Sequence, residues 1–187
     1  SSSTCWIPRV QNPGSSPHNQ LLAVLQHNFP GAIGLFSQLD IAISLAFLHR
    51  FPTETKAAWL SPLRMAHWLK ANSYSGRHTP TQLINHLHQA ATGRLNGAAA
   101  EASEVIVLTL VDLLITLRQQ QDQLEARIKE ALLAHPDGTI FQSLPRAGVV
   151  RAATLLAEIG DCRARFPDPA ALAAAAGVAP STRQSGK

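Results

Sequence analysis

The sequence predicts an all-α protein, and three observations support that prediction. No segment shows the alternation of apolar and polar residues that a half-buried strand requires. Apolar residues recur instead at helical spacing, and two of these stretches begin at Ser-Pro or Thr-Pro, which is typical of a capped helix start. The longest regular stretch runs from about residue 98 to 134. We therefore expect a helical bundle region, a long coiled-coil helix and a small helix-hairpin-helix-like C-terminal unit.

The composition is that of a folded protein outside the membrane. The chain has 187 residues, of which 45% are hydrophobic and 15% are charged. No apolar run approaches the roughly 18 residues that a membrane-spanning helix needs. The opening Ser1–Thr4 segment carries no secretion signal, and the two cysteines, Cys5 and Cys162, form no disulfide framework or metal site. We expect a cytoplasmic protein in a reducing compartment.

The first two segments are a polar tail and a helical middle region. Residues 1–20 are rich in Ser and Pro and lack hydrophobic periodicity, so they are predicted to be disordered. In the middle region, residues 21–97, a short helix from Leu21 should stop before Phe29, because Pro30 follows it. A second helix is predicted from about Leu35 to Arg50, since apolar residues recur there every four positions.

Two further helices of the middle region have clear start signals. Ser61-Pro62 has the form of an N-cap followed by proline at the first helical position, and this helix should end near Ser73. Thr79-Pro80 repeats the pattern and predicts a helix to about Ala91. Gly93 and Gly97 then interrupt the chain.

The next segment, residues 98–135, is predicted to be a coiled-coil helix that joins two copies of the chain. Its one polar seam residue, Gln121, would fix the pairing register. The alternative is a long amphipathic helix packed within its own domain. Pro136-Asp137-Gly138 should end the helix. The seam positions are Val107, Leu110, Leu114, Leu117, Gln121, Leu124, Ile128 and Ala131.

Charge is distributed unevenly along the chain. Residues 1–100 contain seven Lys/Arg and two Asp/Glu, residues 101–137 contain three and seven, and residues 138–187 contain six and three. Two basic regions therefore flank an acidic connector, although the formal net charge is only +4. This order indicates a polyanionic partner, such as DNA, that touches both basic regions.

The stretch from Phe141 to Asp161 has the pattern of a helix-hairpin-helix unit. Such a hairpin binds DNA through backbone amides of a tight turn and the start of the following helix. The usual turn, Leu-Pro-Gly-x-Gly, has two glycines, whereas this chain keeps Gly148 and has Arg146 at the first glycine position. Arg146 and Arg151 could instead contact phosphate directly. The alternative is an αα-hairpin that only packs.

Residues 136–187 form the segment in which a specific resemblance is found. The stretch LPRAGVVRAATLLAEIGDCRARFPDPAALAAAAGVAPSTRQSGK resembles the C-terminal domain of insertion-sequence transposases of the IS-one-ten and IS-one-sixteen class, which are Piv-like recombinases. Residues 22–135, with HNFPGAIGLFSQLD, resemble the family's middle region more loosely. The resemblance implies a RuvC-like domain with four acidic ligands for Mg²⁺, a coiled coil, and a domain with a serine nucleophile at a Ser-Gly motif.

Carried onto this chain, the resemblance places the catalytic serine at Ser185, which Gly186 follows. Ser181 is the competing candidate. The neighbouring Arg183 and Lys187 would bind DNA phosphate, but residues 178–187 contain no His, Asp or Glu to accept the serine proton. The chain contains no predicted metal site of its own.

We therefore expect a truncated transposase that lacks the RuvC-like domain and the end of the serine domain, and that is inactive alone. It would contribute DNA binding, dimerisation and the serine-bearing segment, and the resemblance implies a guide RNA for the complete protein. The alternatives are a non-catalytic DNA-binding helical module and an inert gene remnant.

Overall fold

The computed structural model describes residues 16–94, 97–160 and 163–178. Within these residues the regular structure is entirely helical, which confirms the predicted all-α class. Two 3₁₀ turns, Pro30–Ala32 and Arg163–Arg165, accompany the α-helices. The α-helices are α1 (Pro17–Asn28), α2 (Ala42–Arg50), α3 (Glu54–Ala57), α4 (Pro62–Ala71), α5 (Pro80–Gln89), α6 (Ala98–Ala134), α7 (Gly138–Gln142), α8 (Val149–Ile159) and α9 (Pro169–Ala175).

The two proline-marked helix starts are confirmed, together with their capping chemistry. The Ser61 side chain accepts a hydrogen bond from the Arg64 amide at 3.3 Å, and Pro62 is the first residue of α4. Thr79 and Gln82 form a reciprocal capping box at the start of α5. Each cap satisfies backbone amides that the helix itself leaves unpaired.

Two predictions, one about the end of the polar tail and one about the middle region, were wrong. Residues 17–20 are helical rather than disordered, because Ser16 caps α1 and Pro17 occupies its first turn. Residues 35–41 are turn and bend rather than helix, and α2 begins only at Ala42. The Ser44 hydroxyl donates to the Gln38 carbonyl and thereby holds this loop against the first turn of α2.

The chain divides into two compact units, Ser1–Gln120 and Gln121–Lys187. In the first unit, helices α1 to α5 and the N-terminal part of α6 enclose one hydrophobic core. Aromatic rings occupy part of it, and the Phe47 ring centroid lies 5.8 Å from that of Phe36 and 5.5 Å from that of Trp68. Other core residues of this unit are Leu21, Leu25, Phe29, Leu45, Leu48, Met65, Leu69, Leu83 and Ile84.

Helix α6 is confirmed as one continuous helix with the predicted bounds. Its seam residues differ in environment along its length. Val107, Leu110 and Leu114 are buried in the core of the first unit, as the alternative of a helix packed within its own domain requires. Further along, Leu117 is 48% exposed and Leu124 is 56% exposed. The burial of the first part is therefore explained within the chain, whereas the second part has an exposed apolar face.

The second unit has a small core at the end of α6. Leu132 and Ala152 are buried there, and Gly138 is packed so closely that a Cβ atom on it would lie 1.8 Å from the Leu132 carbonyl oxygen. The Asp168 side chain caps α9 by accepting from the Ala171 amide at 2.8 Å. Among the residues described, no helix has the length and apolar character needed to cross a membrane.

Candidate nucleic-acid interface

Two short helices joined by a turn lie in the second unit at the position of the predicted hairpin. Helix α7 ends at Gln142, residues 143–148 form the connecting turn, and α8 runs to Ile159, after which Gly160 has a φ of +72°. The two helices pack against each other. The structure therefore brings Arg146, Gly148 and Arg151 together around one turn.

Arg146 adopts a backbone conformation that usually belongs to glycine. Its φ is +62°, in the left-handed region that costs an ordinary L-residue about 1 kcal/mol. Arg146 occupies the position of the first glycine in the usual turn sequence, so the left-handed backbone is present although the glycine is not. The residue therefore combines the turn geometry with an exposed guanidinium group.

Hydrogen bonds hold this turn in place. The Ala147 amide donates to the Leu144 carbonyl at 3.1 Å, and the Gly148 amide donates to the Arg146 carbonyl at 3.2 Å. The Arg151 guanidinium, one turn into α8, donates to the same Arg146 carbonyl at 3.0 Å. Arg151 is therefore a support of the turn as well as an exposed positive charge.

The start of α8 is open to an anion. Gly148 is its N-cap, and no side chain forms a capping hydrogen bond there. No atom lies within 4 Å of the position that a Cβ atom on Gly148 would occupy. The first turn of α8 contains no acidic residue. Its third position holds Arg151, although the positive end of the helix dipole destabilises a cation there. Amides, helix dipole and two guanidinium groups together favour a bound phosphate.

The remaining predicted site residues lie outside the described part of the chain, which ends at Val178. They are Ser181, Arg183, Ser185 and Lys187. Their roles therefore stay predictions. Cys5 and Cys162 also lie outside the described residues.

The described residues do not fit the magnesium site that the resemblance implies for a complete protein. Among them, no group of three or more His, Cys, Asp or Glu side chains could hold a metal ion. The acidic residues of α6 are spread along the helix rather than gathered at one point. We therefore derive no catalytic step through a metal from these residues.

Comparison with known proteins relates the chain to transposases. Residues 138–187, which start at the first residue of α7, match the profile described as "Transposase IS116/IS110/IS902 family". The chain is also 32% identical over 177 residues to the "Mini-circle putative transposase for IS117" of Streptomyces coelicolor, a match that covers 90% of this chain and 42% of that protein. The chain belongs to the IS116/IS110/IS902 transposase family.

Two further relatives of this transposase-family chain come from insertion elements. The 43.6 kDa protein of insertion element IS110 in Streptomyces coelicolor is 41% identical over 83 residues, which is 44% of this chain and 20% of that protein. The 42 kDa protein of IS900 in Mycobacterium paratuberculosis is 25% identical over 183 residues, 96% of this chain and 43% of that protein. The chain thus spans less than half of each relative. No solved structure matches it.

The sequence prediction missed one polar surface of the first unit. It lies at the loop between α4 and α5, where Arg77 and His78 are exposed. The signal that could have revealed it is the absence of any Asp or Glu between Glu54 and Glu101. Averaging charge over residues 1–100 concealed this local pattern.

Proposed function

We propose that the chain acts in DNA transposition and that the hairpin of α7 and α8 binds the phosphate backbone of duplex DNA. The carrying observation is the uncapped start of α8 with Arg146 and Arg151 beside it, inside the segment that matches the transposase profile. Backbone amides and guanidinium groups at this turn recognise phosphate and not base edges. Binding by the hairpin is therefore independent of DNA sequence.

The proposal extends to chemistry through Ser185. Its hydroxyl oxygen would lose its proton and bond to a DNA phosphorus, while the bond from that phosphorus to one deoxyribose oxygen breaks and that strand end leaves as a hydroxyl. The product is a covalent phosphoserine intermediate, and Ser181 is the competing residue. A serine hydroxyl needs a base to take its proton. The charged side chains of residues 178–187 are Arg183 and Lys187, which are cations that can bind phosphate but cannot accept that proton. The base, and the Mg²⁺ that the family resemblance implies, would come from other parts of a complete protein, as would any contact with a guide RNA.

The proposal also includes self-association through the exposed face of α6. Leu117 and Leu124 are seven residues apart, and Gln121 lies between them. All three side chains are exposed. Leu117 and Leu124 therefore leave an apolar stripe of the helix uncovered. A second copy of the chain would cover this face as a short coiled coil.

The DNA proposal is tested with the double variant Arg146→Gln with Arg151→Gln. Fluorescence anisotropy would measure its affinity for two duplexes of unrelated sequence over a range of salt concentrations. We expect weaker binding to both duplexes alike. Because two phosphate contacts are removed, the slope of log affinity against log salt should fall by about two.

The matched control is Arg127→Gln with Lys129→Gln, which removes the same charge from α6 between Glu125 and Glu130. This control should keep nearly the wild-type slope, since neighbouring carboxylates repel phosphate. Circular dichroism would verify that both variants remain helical. If the hairpin variant and the wild type had equal slopes, the hairpin would be a packing element that does not contact DNA phosphate.

A further inference from the structure

Helices α4 and α5 lie in a part of the chain that contains no acidic residue. Between Glu54 and Glu101 there is no Asp or Glu, although the chain as a whole has twelve. The same stretch carries the exposed basic residues Arg64, Lys70, Arg77 and Arg94 and the histidines His67, His78, His86 and His88. Lys56 also lies there, but it pairs with Glu104 of α6. The stretch that forms α4 and α5 therefore exposes a net positive charge on the first unit.

Two adjoining hollows open on this surface. The larger, of about 590 Å³, is lined by the loop that joins α4 to α5, including Asn72, Arg77 and His78. The smaller, of about 350 Å³, is lined by one face of α5, including Gln82 and Asn85. His78 lines both hollows, so they lie next to each other. No carboxylate lines either hollow.

The loop between α4 and α5 (residues 72–79) is held at both ends. At its start, the Tyr74 amide donates to the Leu69 carbonyl at 3.0 Å, and the Asn72 side chain donates to the Trp68 carbonyl at 2.8 Å. At its end, Thr79 takes part in the capping box of α5. Hydrogen bonds therefore hold both ends of the loop in a defined conformation.

Tyr74 supports the floor of the larger hollow. Its ring packs edge-on against Phe36, with ring centroids 5.5 Å apart. A Cβ atom on Gly76 would lie 2.2 Å from the Tyr74 ring, so any larger residue there would have to displace that ring. In the smaller hollow, His86 makes a 3.0 Å hydrogen bond from Nε2 to the Ile33 carbonyl, which fixes its ring at the rim.

We propose that these two hollows bind an unpaired nucleic-acid strand. Arg77 supplies a positive charge for a phosphate group, and the Asn85 amide can both donate to and accept from base edges. Asn72 can accept through its side-chain carbonyl and Gln82 can donate through its NH₂ group, since their other amide atoms hold the loop and the cap. Watson–Crick base edges are free for such contacts only in an unpaired strand, and hollows with an aromatic floor suit splayed bases better than a rigid duplex. This site is distinct from the hairpin, which contacts backbone phosphate.

The test uses the full chain and fluorescently labelled oligothymidylate of about 15 nucleotides, a length near the upper limit for one single-strand site. The variant Arg77→Gln should lose roughly tenfold in affinity, because a charge-assisted contact to phosphate disappears. Lys129→Gln on α6 removes the same charge next to Glu125 and Glu130 and should bind as the wild type does. Parallel measurements with oligouridylate distinguish an RNA strand from a DNA strand.

Photocrosslinking locates the contact independently of affinity. An oligothymidylate that contains 4-thiothymidine should crosslink to residues 72–79, and Arg77→Gln should reduce that crosslink while Arg146→Gln with Arg151→Gln leaves it intact. The hairpin variant thereby separates this proposal from the duplex-binding function, and either can fail alone. Crosslinks found only outside residues 72–89, or equal affinity of Arg77→Gln and wild type, would overturn the proposal. Stronger binding of a duplex at this loop would do the same.

Discussion

At Arg146 a charged side chain occupies a position where glycine would relieve backbone strain. Its left-handed φ of +62° costs about 1 kcal/mol relative to glycine, and its guanidinium is exposed. If this residue only closed a packing turn, its replacement by glycine would make the protein more stable. An arginine at this position is therefore consistent with use of its charge at the DNA backbone.

Gly148 gives a prediction that separates stability from binding. Its φ of −65° and ψ of 166° suit any residue, and the space around it is open, so Gly148→Ser should fold without strain. A serine there would cap the first amides of α8 and raise stability by a few tenths of a kcal/mol. The same cap would occupy the amides offered to phosphate, so duplex affinity should fall. Thermal unfolding and anisotropy would measure the two effects.

Gly160→Ser is the contrasting control, because Gly160 ends α8 with a positive φ that a serine adopts only with strain. That variant should lose stability without gaining a cap. If Gly148→Ser bound duplex DNA as tightly as the wild type, the amides at the start of α8 would not be the phosphate site.

Among the elements, α6 shows what a sequence pattern can and cannot predict. The heptad pattern correctly predicted a helix ending before Pro136, because apolar spacing and helix-breaking residues are local properties. The same pattern shows which face of the helix is apolar, but it does not show which residues pack against that face. Val107 and Leu114 are covered by the first unit's own helices, whose arrangement depends on contacts far apart in the chain. Residues 35–41 show the same limit, since spacing by four occurred there without a helix.

The exposed part of α6 predicts self-association. Leu117→Asp with Leu124→Asp places charge on that face and should abolish a dimer while the fold persists, because both side chains are about half exposed in the single chain. Sedimentation equilibrium would measure the mass, and circular dichroism the helix content. Gln119→Asp with Ala126→Asp adds the same charge off the seam and should leave the dimer intact. A monomeric wild-type chain would contradict the prediction outright.

Across the whole molecule, burial is concentrated in the first unit. That unit encloses the aromatic cluster and most of the buried leucines, whereas among the described residues of the second unit the buried apolar side chains are Leu132 and Ala152. The matched family profile lies in the second unit, and the relatives extend over more than twice the aligned length. The functions proposed for the hairpin and for Ser185 therefore require functional groups beyond those that these residues contain.

The covalent step should depend on that larger assembly. We expect the 187-residue chain to form no adduct with labelled DNA on a denaturing gel, with or without magnesium, because residues 178–187 lack a proton acceptor and the described residues gather no metal ligands. When the chain is joined to the acidic metal-binding domain and the rest of the serine domain of a family member, an adduct should form. In that protein Ser185→Ala should remove the adduct with little change in DNA affinity, and Ser181→Ala should leave it. An adduct from the chain alone, or one lost only with Ser181→Ala, would assign the nucleophile or its base differently.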